Sequence, residues 1–192
     1  MTPTFYQQRF LNFGLLHYLV SSYQSAASAN CRTYIVFLKV VYALSCIIRN
    51  YPDAEVSFAK TYGYAVFHRA VSSGIPAFAT RAVFLSNALI TSDSISEEII
   101  SAIAPAFLPG SYLFVSSTDT DLREATLRLL ISLAKTVAGK ALFASAAGVE
   151  DAIQARTKTL MTDPDNVDQE KHEQSLIKEF REALLAPVSR ML

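Results

Sequence analysis

The sequence contains no tryptophan, only six glycines and seven prolines, two cysteines and three histidines. So little turn chemistry argues against a β-sandwich and suits helices. Cys31 and Cys46, fifteen residues apart, are too few for the disulfide framework of a small secreted domain and fit a reducing compartment. His17, His68 and His172 stand singly, without the spacing that metal ligation needs, so no metal or other cofactor is expected. Net charge is also missing: 17 basic and 17 acidic residues leave no overall field to draw in nucleic acid or an anionic membrane. Acids are absent altogether from residues 1–50, which carry Arg9, Arg32, Lys39 and Arg49, whereas from Glu150 to Glu182 acids outnumber bases. No apolar run is long enough to span a bilayer. Leu11 to Val20 and Tyr34 to Ile48 fall short of the roughly 20 residues required, and His17 and Lys39 interrupt them. The acid-free leader leaves a transit peptide or signal anchor as the alternative.

What the chain does have is length and apolar content. Its 192 residues, 51% hydrophobic, can bury one continuous core. Helical periodicity is clearest in Lys39 to Arg49, Thr80 to Ile90 and Arg123 to Leu133. Setting Leu44-Ser45-Cys46 on Leu85-Ser86-Asn87 gives a spacing of 41 residues, and setting Ser132 in register with Asn87 gives 45. Such periods belong to armadillo and HEAT-type units, so the expected fold is all-α, a right-handed α-solenoid. Punctuation falls where a repeat needs it: Pro52 after the first long helix, Tyr62-Gly63 as a turn, and Gly74-Ile75-Pro76 before the second. Ser94 with Glu97, and Asp121 with Glu124, read as capping boxes. Residues 1–32 form a basic leader, 33–187 the repeats with a capping helix over about 169–186, and 188–192 a tail.

Catalytic chemistry finds no support. Gly139-Lys140 lacks the remaining residues of a phosphate loop and reads as a turn between helices. Glu97-Glu98 and Glu179 with Glu182 are paired acids with nothing opposite them, so the protein is not expected to be an enzyme. Stacked helices instead present one face lined by corresponding positions. The spacing sets Cys46, Asn87 and Ser132 in one row, with Tyr42, Val83 and Arg128 one turn earlier and Arg49 continuing the line. These seven are the candidate partner-binding residues. Arg156 and Lys158, on a helix over Val149 to Met161, could extend that face.

Tyr42-Ala-Leu-Ser-Cys-Ile-Ile-Arg-Asn-Tyr-Pro52 with Phe58 and Tyr62-Gly63, then Ala82-Val-Phe-Leu-Ser-Asn87, then Arg123-Glu-Ala125, resembles the armadillo-type nucleotide exchange factors of the 70-kDa heat-shock chaperone. The likeness covers Lys39 to Leu185 and is strongest from Val41 to Asn87. Residues 1–38 match nothing in it, so the resemblance implies a member without the family's first helices. It also implies a monomeric co-chaperone that grips the chaperone's nucleotide-binding (ATPase) domain with its concave face and speeds ADP release. A cytoplasmic location is expected over the endoplasmic reticulum, because the chain ends Ser189-Arg-Met-Leu192 and not in a retention tetrapeptide. The alternative is a generic armadillo-type protein-interaction scaffold, with or without a membrane anchor in the apolar leader. Peptide-binding scaffolds carry an Asn ladder, of which only Asn87 is present here.

Overall fold

The computed structural model describes residues 31–49, 51–145, 148–160 and 167–188, and every regular element among them is helical. Most of the basic leader and the loop from Thr162 to Asp168, apart from its last two residues, lie outside the described residues. In chain order, α1 (Cys31–Ile48) is followed by α2 (Pro52–Phe58), which runs through a π-helical turn, Ala59–Gly63, into α3 (Tyr64–Ser72). Then come α4 (Pro76–Ile90), α5 (Glu97–Ile103) with a 3-10 turn at Ala104–Ala106, and α6 (Leu108–Val115). The rest comprises α7 (Thr120–Ala134), α8 (Val137–Ser145), α9 (Val149–Leu160) and α10 (Val167–Leu185). The three periodic segments read from the sequence fall within α1, α4 and α7, except that Arg49 lies one residue past the end of α1. No helix among the described residues is long and apolar enough to cross a membrane.

Local chemistry sets the helix starts. Pro52 and Pro76 sit in the first turns of α2 and α4, where the missing N–H costs no helical bond. Gly74, at φ +68°, turns the chain just ahead of Pro76. The caps lie two residues from where the sequence motifs put them. The Ser96 hydroxyl accepts from the Ile99 amide at 3.4 Å to open α5, and the Asp119 carboxylate accepts from the Leu122 amide at 3.0 Å to open α7. Glu97 does not complete a local capping box. Its Oε2 reaches the Ala138 amide at 3.0 Å and caps the start of α8, 41 residues along the chain.

Two glycines also differ from expectation. Gly63 is no turn: at φ −51° and ψ −55° it continues the helix, and a Cβ there would stand 3.0 Å from Ile103 Cγ2. It allows α5 to approach closely. Gly139 lies inside the first turns of α8 and not between helices; its amide donates to Thr136 Oγ1 at 2.9 Å.

The long helices are neighbours in chain order, α1 on α4, α4 on α7 and α7 on α10. The short ones pack in the same sense, α5 on α8 and α6 on α9. Burial repeats accordingly. The buried α4 positions Phe78, Ala79, Ala82, Val83, Leu85, Ser86, Leu89 and Ile90 return 44 residues on as Leu122, Arg123, Thr126, Leu127, Leu129, Leu130, Leu133 and Ala134 of α7. Val40, Val41, Leu44 and Ile48 of α1 return 42 residues on as Ala82, Val83, Ser86 and Ile90.

The core has two parts, and α7 belongs to both. Leu122, Ala125, Leu129 and Leu133 join a cluster built from α1 to α5, while Leu127, Leu130, Ile131 and Ala134 join Val115, Ile153, Ile177 and Phe180. A buried ion cluster ties the second part together. Glu173 of α10 takes Arg156 of α9 in two bonds, 2.7 and 3.0 Å, and Arg123 of α7 at 3.3 Å. Arg123 also donates to the Ser117 carbonyl at 2.8 Å, fixing the turn before α7. Arg156 is therefore committed inside the fold and does not extend a partner face.

Candidate protein-binding face

The outer surface of the long helices follows from what the core leaves out. Tyr42 and Cys46 of α1, and Arg49 just past its end, are exposed, about one turn apart. On α4 the exposed line is Arg81, Phe84 and Thr91, with Ala88 half-buried between the last two. On α7 it is Arg128, half-buried Ser132 and Lys135. By the spacing of the buried positions, Tyr42, Phe84 and Arg128 correspond, as do Cys46, Ala88 and Ser132, and Arg49, Thr91 and Lys135.

One site residue expected from the sequence is corrected by this register. Val83 is 1% exposed and packed in the core, so it cannot touch a partner; its neighbour Phe84 holds the outward position at 46% exposure. A one-residue error turns a helix by about 100°, enough to exchange the two faces. The source is visible in the residues. Matching Leu-Ser-Cys with Leu-Ser-Asn fixes a spacing of 41, whereas the buried positions require 42. Polarity gave little warning, since Ser86 is buried, satisfied by its own helix at Ala82 O (2.6 Å), while Phe84 is exposed.

Asn87 consequently moves off the row to its inner edge. It is half-buried, and its Oδ1 is shielded from solvent without a hydrogen-bond partner among the described residues. Tyr42, Cys46 and Arg49 stay on the face. The Arg49 guanidinium lies 3.5 Å from the Phe84 carbonyl, and the Arg81 guanidinium sits over the Tyr42 ring, 5.6 Å from its centroid. These contacts join α1 and α4 into one surface of Tyr42, Phe84 and three cations, Lys39, Arg49 and Arg81. Arg81 and Phe84 were not singled out in the sequence; the burial period would have found them. Arg128 and Ser132 lie further along. Arg128 is exposed but engaged with His172 of α10 at 3.2 Å.

At the C-terminal ends of α1 and α4 the face opens into a cleft of ≈ 550 Å³ lined by Arg49, Glu55, Phe84, Asn87, Ser92 and Asp93, among others. Glu55 is 7% exposed, and its carboxylate accepts from the Ser92 and Ser94 hydroxyls, both at 2.5 Å. Of the acids flagged in the sequence, Glu97 caps α8 through Oε2, Glu179 meets Lys135 at 3.0 Å, and Glu182 meets Lys178 at 3.8 Å. Among the described residues no group of three or more His, Cys, Asp or Glu could hold a metal ion. No protein-family model matches the chain, and no curated protein is significantly similar to it.

Proposed function

We propose that the protein is a cytoplasmic, monomeric co-chaperone of armadillo type, which binds the nucleotide-binding domain of a 70-kDa heat-shock chaperone and promotes ADP release. The observation that carries the reading is the outward row of Tyr42, Phe84 and Arg128 on three successive long helices. The recurrence of buried positions at 42 and 44 residues supports the armadillo-type solenoid. The motif likeness from Tyr42 to Asn87 supports the choice of partner.

Such a protein needs no nucleotide pocket. A partner that binds the nucleotide-open form of the chaperone more tightly weakens nucleotide binding by the same factor. Aromatic and arginine side chains suit the contact, because they supply area and directional donors at interfaces. The test is release of labelled ADP from the chaperone domain on adding the full chain. Acceleration is expected, lost when Tyr42 and Phe84 are both changed to Ala. An unchanged release rate at saturating protein would remove the proposal.

A further inference from the structure

The α1–α4 face has a one-sided charge. Neither helix contains an Asp or Glu, and the whole stretch of residues 1–50 has none to offer. Lys39, Arg49 and Arg81 form no ion pair among the described residues. Elsewhere several cations do meet acids: Arg123 and Arg156 on Glu173, Lys135 on Glu179, Lys178 on Glu182 and Arg181 on Glu150. Between the three unpaired cations stand two aromatic rings, Tyr42 at 57% and Phe84 at 46% exposure.

We propose that this face docks an acidic segment of a protein partner, its carboxylates on Lys39, Arg81 and Arg49 and its aliphatic side chains on Tyr42 and Phe84. Guanidinium groups pair carboxylates in a planar fork, and exposed aromatic rings add contact area at low entropic cost. Such complementarity chiefly sets encounter rate and partner choice. The cleft limits the register. Glu55 and Asp93 line the cleft together with Arg49, so the acidic side chains of the segment stop at its mouth. A nucleic acid fits less well, because three cations on a chain of zero net charge do not track a phosphate backbone.

The inference rests on the α1–α4 face being a protein-binding surface and not on the identity of the partner. Its test uses the full chain and fluorescence anisotropy with three labelled probes: a short peptide alternating Glu and Leu, its Gln-and-Leu counterpart, and a single-stranded RNA. The acidic peptide is expected to bind at least about tenfold tighter than the Gln peptide and to weaken with salt. Arg49→Glu with Arg81→Glu should remove that preference while the chain still unfolds cooperatively, since both side chains are exposed and lose only surface contacts. Equal binding of the two peptides, wild-type affinity in the double variant, tighter binding of RNA, or no binding of any probe would each overturn the inference. Preference for the acidic peptide without faster ADP release would fault the chaperone assignment alone; the converse would fault the acidic segment alone.

Discussion

Arg156 and Glu173, seventeen residues apart, meet through two parallel bonds, Nε to Oε1 at 2.7 Å and Nη2 to Oε2 at 3.0 Å. Glu173 is almost wholly buried, and Arg123 approaches it from another helix. Removing the carboxylate would strand two guanidinium groups in the interior. Glu173→Ala is therefore expected to cost about 3–5 kcal/mol, which lowers the melting temperature by about 6–20 °C. Thermal unfolding followed by circular dichroism measures it.

Val83 and Phe84 give a sharper test of the helical register, because adjacent substitutions should do opposite things. Val83→Ala removes core volume and is expected to cost about 1–3 kcal/mol of stability, with partner affinity little changed. Phe84→Ala should leave stability within about 1 kcal/mol while weakening binding of the chaperone domain by about 2 kcal/mol or more. Urea titration and calorimetry on the two variants separate these outcomes.

Cys46 is exposed and free. In a Cys31→Ser background a maleimide is expected to modify it in the native state, and the adduct, centred on the α1 face, should block partner binding. Prior saturation with the chaperone domain should slow the labelling. Labelling at the same rate with and without partner would move the interface elsewhere.

Gly139 has no room for a side chain. A Cβ there would lie 2.0 Å from the Leu133 carbonyl oxygen, a backbone atom that cannot swing aside. Gly139→Ala should shift the turn between α7 and α8 and cost about 1–3 kcal/mol, read as a lower urea midpoint.

The α7 cap distinguishes two nearby acids. Asp119→Ala, which loses the bond to the Leu122 amide, is expected to cost about 1 kcal/mol. Asp121→Ala, at an exposed first-turn position, should cost about 0.5 kcal/mol or less. Equal effects would contradict the cap.

Much of the helical order was legible, because the apolar residues of α1, α4 and α7 recur at helical spacing and Pro76 and Gly74 punctuate them. The helix over Val149 to Met161 and the capping helix lie within a residue or two of α9 and α10. What stayed hidden depends on contacts between residues distant in sequence. Ser94 resembles a cap, but its hydroxyl turns to Glu55, 39 residues away. Arg123 and Arg156 look like surface cations until Glu173 is placed between them. The exposed row was half legible: Tyr42, Cys46 and Arg49 do face outward, while in α4 a buried serine and an exposed phenylalanine made the two faces look alike.

The position of α7 as the shared wall of both core clusters bears on how the chain comes apart. In a stack of independent units the ends fray first and the middle survives. Here, release of α10 would open the cluster that holds Leu127, Leu130 and Ile131, and release of α4 would open the one that holds Leu129 and Leu133. Either event leaves α7 with an apolar side in water, a state poorly populated except on the way to global opening. Amide hydrogen exchange in α7 should accordingly be the slowest in the protein, and both halves should lose protection in a single cooperative step.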